Sequence, residues 1–399
     1  MKEPFLSAVP VLTQLEDAGY EAYFVGGSVR DYLLNKQISD VDIATSATPE
    51  EVKAIFPKTV DIGIEHGTVL VLYGQKSYEI TTFRTEGDYQ DFRRPKEVAF
   101  IRNLKEDLKR RDFTMNAIAM DKTGQVIDPY NGQEAIKNRL IQSVGNAEER
   151  FSEDALRMMR AVRFVSQLSF HINEDTMTAL KKLTPLLRKI AIERKRAEFE
   201  KLLLGENWQE ALRIILEANI NAYLPGLKNK PLQIERLLTY NCKGFTKEEM
   251  WSILIFCLQI DKKNIEVLLR EWRLPVKEIK WIHQLIFYLE VRLHQEWSIY
   301  DLYKAGCSVI EAVEKLYHVI NDLHDSAGIQ ELLEQYHKLP IKSSKDVAIT
   351  GSDLMQWFNR SGGPWLKETL MKTEQAILDG KVINDKRKIK EWLLACSQN

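Results

Sequence analysis

Apolar positions recur with helical spacing over residues 5–18 and stop at Gly19, and the short run AYFV that follows predicts a strand ending on Gly26-Gly27. SVRDYLL then opens a helix, while DVDIAT alternates acidic and apolar side chains as a half-buried strand does. Thr48-Pro49-Glu50 marks the next helix start. VDIGIEHG, TVLVLYG and SYEITTFR predict an antiparallel set, and VIDPYNG adds a strand and a turn. Beyond residue 133 the period changes. AIKNRLIQSV, EDALRMMRAVRFVSQL, INEDTMTALKKLTPLL and IERKRAEFEKLLL are all helical by spacing. Further helices follow, broken at Leu224-Pro225-Gly226, Leu274-Pro275 and Gly362-Gly363-Pro364. The pattern predicts an α+β head followed by an all-α portion.

Two features of the head point to chemistry. On a strand, Asp40 and Asp42 project together while Val41 and Ile43 face the core. Two carboxylates on one face repel unless a cation sits between them, and hard oxygen ligands suit Mg²⁺. Read alone, a D-x-D is equally an exposed strand end with two solvated aspartates. The Gly-Gly-Ser turn shifts that balance. Gly26 and Gly27 let backbone N–H groups approach an anion, Ser28 adds a hydroxyl, and Arg30 adds a planar cation suited to phosphate. The plainer reading is an ordinary strand-to-helix turn with Arg30 paired to Asp31 or Asp40. Neither a P-loop nor a G-x-G-x-x-G occurs at this turn.

Between Phe83 and Asp112 the chain is polar, with Gly87 and Pro95, and has no clean period in its first half. Such a segment predicts a mobile element beside a site, or a solvated hairpin excursion. RRDFTMNAIAM follows as a strand or short helix, with Arg110 and Arg111 as candidate phosphate contacts or Arg111 paired to Asp112. A helix is expected from an N-cap at Ser152, which sets Asp154, Arg157, Arg160 and Arg163 at three-residue intervals on one stripe. The stripe is either an ion-paired solvated face or a surface for a polyanion. An Asp154–Arg157 pair also complements cytosine and adenine, each of which offers an amino donor beside a ring-nitrogen acceptor. Uracil and guanine present the reverse.

With 56 basic and 57 acidic residues, net charge −1, no global field attracts nucleic acid, so any RNA binding must come from local patches. The 44% hydrophobic and 28% charged content are those of a soluble globular protein, and 399 residues predict two to four domains. Four scattered cysteines without metal-ligand spacing read as reduced thiols, and no leader or membrane-spanning run is seen, which predicts a cytoplasmic protein.

GGSVRD with DVD, RRDFTMNA, DPYNGQEAIKNRLIQSVG, EDALRMMRAVRF and ERKRAEFEKLL occur in this order, and over residues 20–205 the chain resembles the bacterial class II tRNA nucleotidyltransferases, the CCA-adding enzymes. These share a superfamily with bacterial poly(A) polymerases and the DNA polymerase β fold. The resemblance implies a polymerase β-like nucleotidyltransferase head with a mixed sheet (1–140), then an elongated helical neck (141–205), body (206–300) and tail (301–399). It implies Asp40 and Asp42 as catalytic, Mg²⁺-binding carboxylates, and Gly27, Ser28, Arg30 and Arg111 as nucleotide contacts. Asp154 and Arg157 would read the base, with Arg160 and Arg163 also on the nucleotide. Glu79 is a candidate third carboxylate, while Glu193, Arg194 and Arg196 are expected to stabilise the neck. The implied reaction adds C, C and A to the tRNA 3′ end from CTP and ATP. The tail would grip tRNA, with Lys386-Arg387-Lys388 as a candidate basic cluster and a homodimer as a candidate assembly. A poly(A) polymerase, a CC-adding enzyme and a non-catalytic RNA-binding relative are the competing readings.

Overall fold

In a computed structural model, which describes residues 1–63, 67–87, 89–90, 94–95, 98–323 and 327–396, the chain divides into two units. One holds Met1–Glu235 with Glu271–Arg273, the other Arg236–Arg270 with Leu274–Asn399. The expected boundaries at 140 and 205 fall inside the first unit and that at 300 inside the second, so the expected body (206–300) runs across the division at 235/236.

The first unit opens with α1 (Phe5–Asp17), β1 (Ala22–Val25), α2 (Gly27–Leu33), β2 (Asp42–Thr45) and α3 (Pro49–Ile55). Thr48 caps α3 in a capping box with Glu51, as its Thr-Pro-Glu start predicts. Strands β3 (Thr59–Gly63), β4 (Thr68–Tyr73) and β5 (Lys76–Thr82) form the antiparallel set. The polar segment after Phe83 folds back on itself: β6 (Arg84–Glu86) pairs with β9 (Val98–Phe100), and β7 (Tyr89–Gln90) with β8 (Arg94–Pro95). This is the hairpin excursion; the expected mobile element falls partly on residues 88, 91–93 and 96–97, outside the described residues. Helix α4 (Leu104–Lys109) and strands β10 (Ala119–Met120) and β11 (Val126–Ile127) complete the head. Among the described residues its main sheet has seven strands in the order β11-β10-β1-β2-β5-β4-β3. The sheet is mixed because β2 runs parallel to β5, with Asp42 opposite Glu79. Val25, Ala44, Phe83, Leu104, Leu108, Ala117, Ala119 and Val144 pack together as a buried cluster.

RRDFTMNAIAM holds a short helix, of 3₁₀ type, and ends in strand β10. Phe113 bridges to Ser143, and Thr114–Asn116 close a 3₁₀ turn. The turn packs against the start of α5 (Gly132–Lys137), where Asp128 accepts the N–H groups of Gly132 at 2.7 Å and Gln133 at 2.8 Å. A β-carbon on Gly132 would stand 2.2 Å from the Thr114 carbonyl oxygen and 2.6 Å from Ile118 Cγ1. Gly132→Ala is thus expected to cost on the order of 1–3 kcal/mol or more, read as a fall in melting temperature. An unchanged melting temperature would show that the turn yields freely.

Beyond the head, AIKNRLIQSV is only half helical. Helix α5 stops at Lys137, and β12 (Leu140–Ile141) pairs in parallel with β13 (His171–Ile172). Between them lie α6 (Ala147–Glu153) and α7 (Leu156–Leu168); α8 (Glu174–Leu183), α9 (Ile192–Leu203) and α10 (Trp208–Glu217) follow. The helix expected from Ser152 is therefore two helices, with Ser152 and Glu153 ending α6. Asp154 breaks the run in extended backbone, φ −132° and ψ 100°. Helix α7 is buried on most sides and packs on α9 and α10.

The second unit is helical, as expected. Helix α11 (Pro231–Leu237) crosses into it, followed by α12 (Lys247–Leu258), α13 (Lys262–Glu271), α14 (Val276–His294), α15 (Ile299–Ala305) and α16 (Cys307–Ile320). Helices α12, α14 and α16 pack together, and α17 (Ala327–His337), α18 (Gly351–Phe358), α19 (Pro364–Leu378) and α20 (Lys386–Cys396) complete the unit. Leu274-Pro275 and Gly362-Gly363-Pro364 fall at helix boundaries as predicted. Each cation of the basic run on α20 has an acidic partner: Lys386 pairs with Asp353, and Arg387 and Lys388 share Glu391. All four cysteines are free thiols, and burial pushes Cys242 and Cys257 up to about 12. Among the described residues no helix is long and apolar enough to cross a membrane.

Candidate active site

The site forms where β1 turns into α2. Gly26 takes φ 72° and ψ −138°, a conformation that favours glycine. A β-carbon there would lie 3.0 Å from Arg111 Nη1 and 3.6 Å from Asp42 Oδ2. The first two sequence blocks thus converge on one point. The Ser28 hydroxyl donates to the Val25 carbonyl at 3.0 Å and ties the turn together. Gly27 lies at the first turn of α2, where a β-carbon would be 3.6 Å from Arg30 Nη2.

Strand β2 starts at Asp42, so Asp40 lies on the approach to it rather than within it. The expected alternation holds: Asp40 and Asp42 are exposed, while Val41 and Ile43 are buried. Although Asp42 is exposed by surface area, the protein packed around its carboxyl pushes it above its ordinary range, Arg111 opposes the rise, and the like charge of Asp40 adds to it. A divalent cation would relieve that repulsion. Glu79 is exposed and paired in register with Asp42. Yet among the described residues no three His, Cys, Asp or Glu side chains gather closely enough to hold a metal. Asp40 and Asp42 alone fit an ion that completes its shell with water and substrate phosphate, the habit of Mg²⁺.

Arginines line the site, each with an internal carboxylate partner. Arg30 makes two hydrogen bonds to Asp31, at 2.9 and 3.0 Å, which is the plainer pairing the sequence allowed. Arg111 lies 3.5 Å from Asp107 rather than pairing with Asp112, and burial pulls its guanidinium down against the Asp107 charge. Arg160 reaches Asp112 at 2.6 Å, and Arg163 reaches Glu198 at 2.7 Å. Burial brings Arg163 down to about 10 despite Glu198. Three of these guanidiniums share one ring. Arg30, Arg160 and Arg163 lie 5.1, 5.6 and 4.2 Å from the centroid of Phe164, within cation–π range.

Burial alone would raise the Asp112 carboxyl. The Arg160 charge, with hydrogen bonds from Asn116, Arg160 and the Phe113 N–H, outweighs it and holds the group at about 2. Its stabilising contribution is complete above the ordinary carboxylate range and fades only as pH falls towards 2. Asp112, Asn116, Phe164 and Glu198 were not read from the sequence as parts of the site. Asp112 and Asn116 stand inside the second block, and their polarity in a run flanked by Phe113, Met115 and Ala117 was the available signal.

The expected Asp154–Arg157 pairing is replaced by other partners. Arg194 holds Asp154 at 2.7 and 3.3 Å, and Asp154 Oδ1 accepts the Leu156 N–H at 3.0 Å. Arg157 is buried, donates to Glu153 at 2.7 Å, and reaches the carbonyls of Arg150 and Arg110 at 3.1 and 3.0 Å. The helix break at Asp154 causes this, because the two residues no longer share one helical stripe. In the fifth block, Arg194 braces Asp154, and Arg196 reaches the Arg273 carbonyl and Glu200.

A family model described as the poly A polymerase head domain matches residues 22–142. One described as a probable RNA and SrmB-binding site of polymerase A matches 169–230, and one described as a putative domain 2 of tRNA nucleotidyltransferase matches 243–393. The chain is 48% identical over 396 residues to a CCA-adding enzyme of Geobacillus kaustophilus, covering 99% of this chain and 98% of that one. It is 49% identical over 395 residues to one of Listeria innocua, covering 98% and 99%. The crystal structure of the Bacillus stearothermophilus CCA-adding enzyme in complex with CTP matches with a TM-score of 0.92 at 43% identity, covering 100% of this chain and 98% of that one. The Thermotoga maritima CCA-adding enzyme complexed with tRNA shares the fold, at a TM-score of 0.60 and 23% identity over 99% and 96% of the two chains. Relatives this similar run nearly the full length of the chain, which therefore belongs to the CCA-adding enzymes, a family of tRNA nucleotidyltransferases.

Proposed function

We propose that Asp40 and Asp42 are the catalytic, metal-holding carboxylates of this transferase, and that the guanidiniums gathered about Phe164 seat the incoming nucleotide. The enzyme adds C, C and A stepwise to the 3′ end of tRNA, taking CTP and ATP without a nucleic-acid template and releasing pyrophosphate. The convergence of Gly26, Asp42 and Arg111 carries the active-site reading, since it sets a cation and a carboxylate against one open turn. Mg²⁺ bound by Asp40 and Asp42 would lower the pKa of the attacking 3′-hydroxyl and offset charge on the departing pyrophosphate. Gly27, Ser28, Arg30 and Arg111 border the triphosphate, with Arg160 and Arg163 beside it on α7. Asp154 and Arg157 choose the base, the carboxylate accepting from the amino group of C or A and the guanidinium donating to the ring nitrogen. To do so they give up part of their hold on Arg194 and Glu153, the partners they have in this structure. The helical tail (301–399) would hold tRNA through contacts to its phosphate backbone, and the setting is the cytoplasm.

Incubation with a tRNA lacking its 3′ trinucleotide and each labelled NTP, read by product length, tests this. Growth by two C residues and then one A is expected. Runs of A without C would point to a poly(A) polymerase, a halt after CC to a partial enzyme, and no incorporation with Mg²⁺ present to a binding relative.

A further inference from the structure

Asn116 is buried in the 3₁₀ turn Thr114–Asn116, and both ends of its amide are engaged with charged groups. Its Oδ1 accepts from Arg30 Nη1 at 2.8 Å, and its Nδ2 donates to Asp112 Oδ1 at 3.0 Å. The same Asp112 oxygen accepts the Phe113 N–H at 2.8 Å, while Oδ2 takes Arg160 Nε at 2.7 Å. A continuous line therefore runs from Arg30 on α2, through Asn116 and Asp112, to Arg160 on α7. The partners dictate the amide's orientation, because a guanidinium can only donate and a carboxylate can only accept. An ionised carboxylate at 116 would suit Arg30 but meet Asp112 charge to charge, and an aliphatic group would serve neither. The Phe164 ring supports the arginines without fixing their direction, since its face attracts any cation above it. Asn116 supplies the direction.

We propose that Asn116 is a positioning residue that holds Arg30 and Arg160 at a set spacing, so that the two guanidiniums meet the nucleotide triphosphate as one rigid surface. This rests on the nucleotide-binding role given above to Arg30 and Arg160. Asn116 itself acts through them.

The test uses the full-length enzyme with Asn116→Asp and Asn116→Ala, measuring kcat and KM for CTP and ATP from pH 6 to pH 9. For Asn116→Ala, KM is expected to rise about tenfold or more, with a smaller change in kcat and no pH trend relative to the parent enzyme. Asn116→Asp differs in kind. The new carboxyl faces Arg30 and Asp31 from α2, Asp112 from the turn, and Arg160, Arg163 and Glu198 from α7 and α9. Ionised, it repels Asp112; protonated, its O–H donates to Asp112 and its carbonyl accepts from Arg30, which restores the native pattern. Its KM relative to the parent's should therefore fall as pH is lowered. A ratio flat across the range overturns the proposal, as does a native KM in Asn116→Ala. Melting curves at each pH show that the variants are folded, and the pH trend within Asn116→Asp decides the matter if Asn116→Ala is not. Arg30→Gln, measured alongside, separates the two levels. A native KM in Arg30→Gln sinks the nucleotide-binding reading and this proposal with it. A raised KM there beside native Asn116 variants sinks the proposal alone.

Discussion

Replacing either Asp40 or Asp42 with alanine is expected to lower nucleotide incorporation by on the order of a thousandfold or more, since a bound metal supplies several kcal/mol of charge stabilisation in phosphoryl transfer. The melting temperature should hardly move, because both carboxylates are exposed while Val41 and Ile43 anchor the backbone. That split between activity and stability is the informative part. Incorporation by either variant at the parent rate, measured on a primer tRNA with saturating CTP, would remove the basis for the metal-holding pair. Isosteric Asp42→Asn should behave like the alanine variant, since a neutral amide is a far weaker magnesium ligand and leaves Arg111 without the nearby charge.

The second large effect concerns choice of base. Asp154→Ala is expected to narrow the preference for CTP and ATP over UTP and GTP by on the order of a hundredfold or more, as sites that recognise a base by hydrogen bonds lose most discrimination when a partner is removed. Metal dependence should be retained, because Asp154 belongs to the break between α6 and α7 and not to the Asp40–Asp42 pair. Competition between labelled CTP and UTP on the same primer measures the ratio; an unchanged ratio would refute the role. The alanine variant also frees Arg194, so Arg194→Ala is the control that separates loss of the brace from loss of the reader.

The head was legible in the sequence because its signals are local. Alternation about Val41 and Ile43, the glycine turn and the Thr48 capping box each specify their own few residues. The site was legible only as a set of residue types. Asp40, Asp42, Arg30 and Arg111 carry obvious chemistry, but their partners are set by tertiary packing. Asp31 beside Arg30 was open to a reading of neighbours, but Asp107 and Glu198 are ordinary acids in the sequence, and nothing marks them as partners of Arg111 and Arg163. The helix from Ser152 failed for a related reason. EDALRMMRAVRF has helical periodicity throughout, yet Asp154 gains more by binding Arg194 and the Leu156 N–H than by continuing the helix. The strand at Leu140–Ile141 was hidden in a helical period because its partner, His171–Ile172, lies thirty-one residues on.

Arg30, Arg111, Arg160 and Arg163 are each already matched with an acidic neighbour, so on the proposed reading a nucleotide arriving among them would exchange one counter-ion for another instead of falling into an unscreened well of positive charge. The same neighbours stand ready to reclaim the guanidiniums when pyrophosphate leaves. Turnover would then be helped at both ends: stray anions would gain little by lodging there, and the spent product would not be gripped harder than the substrate it came from.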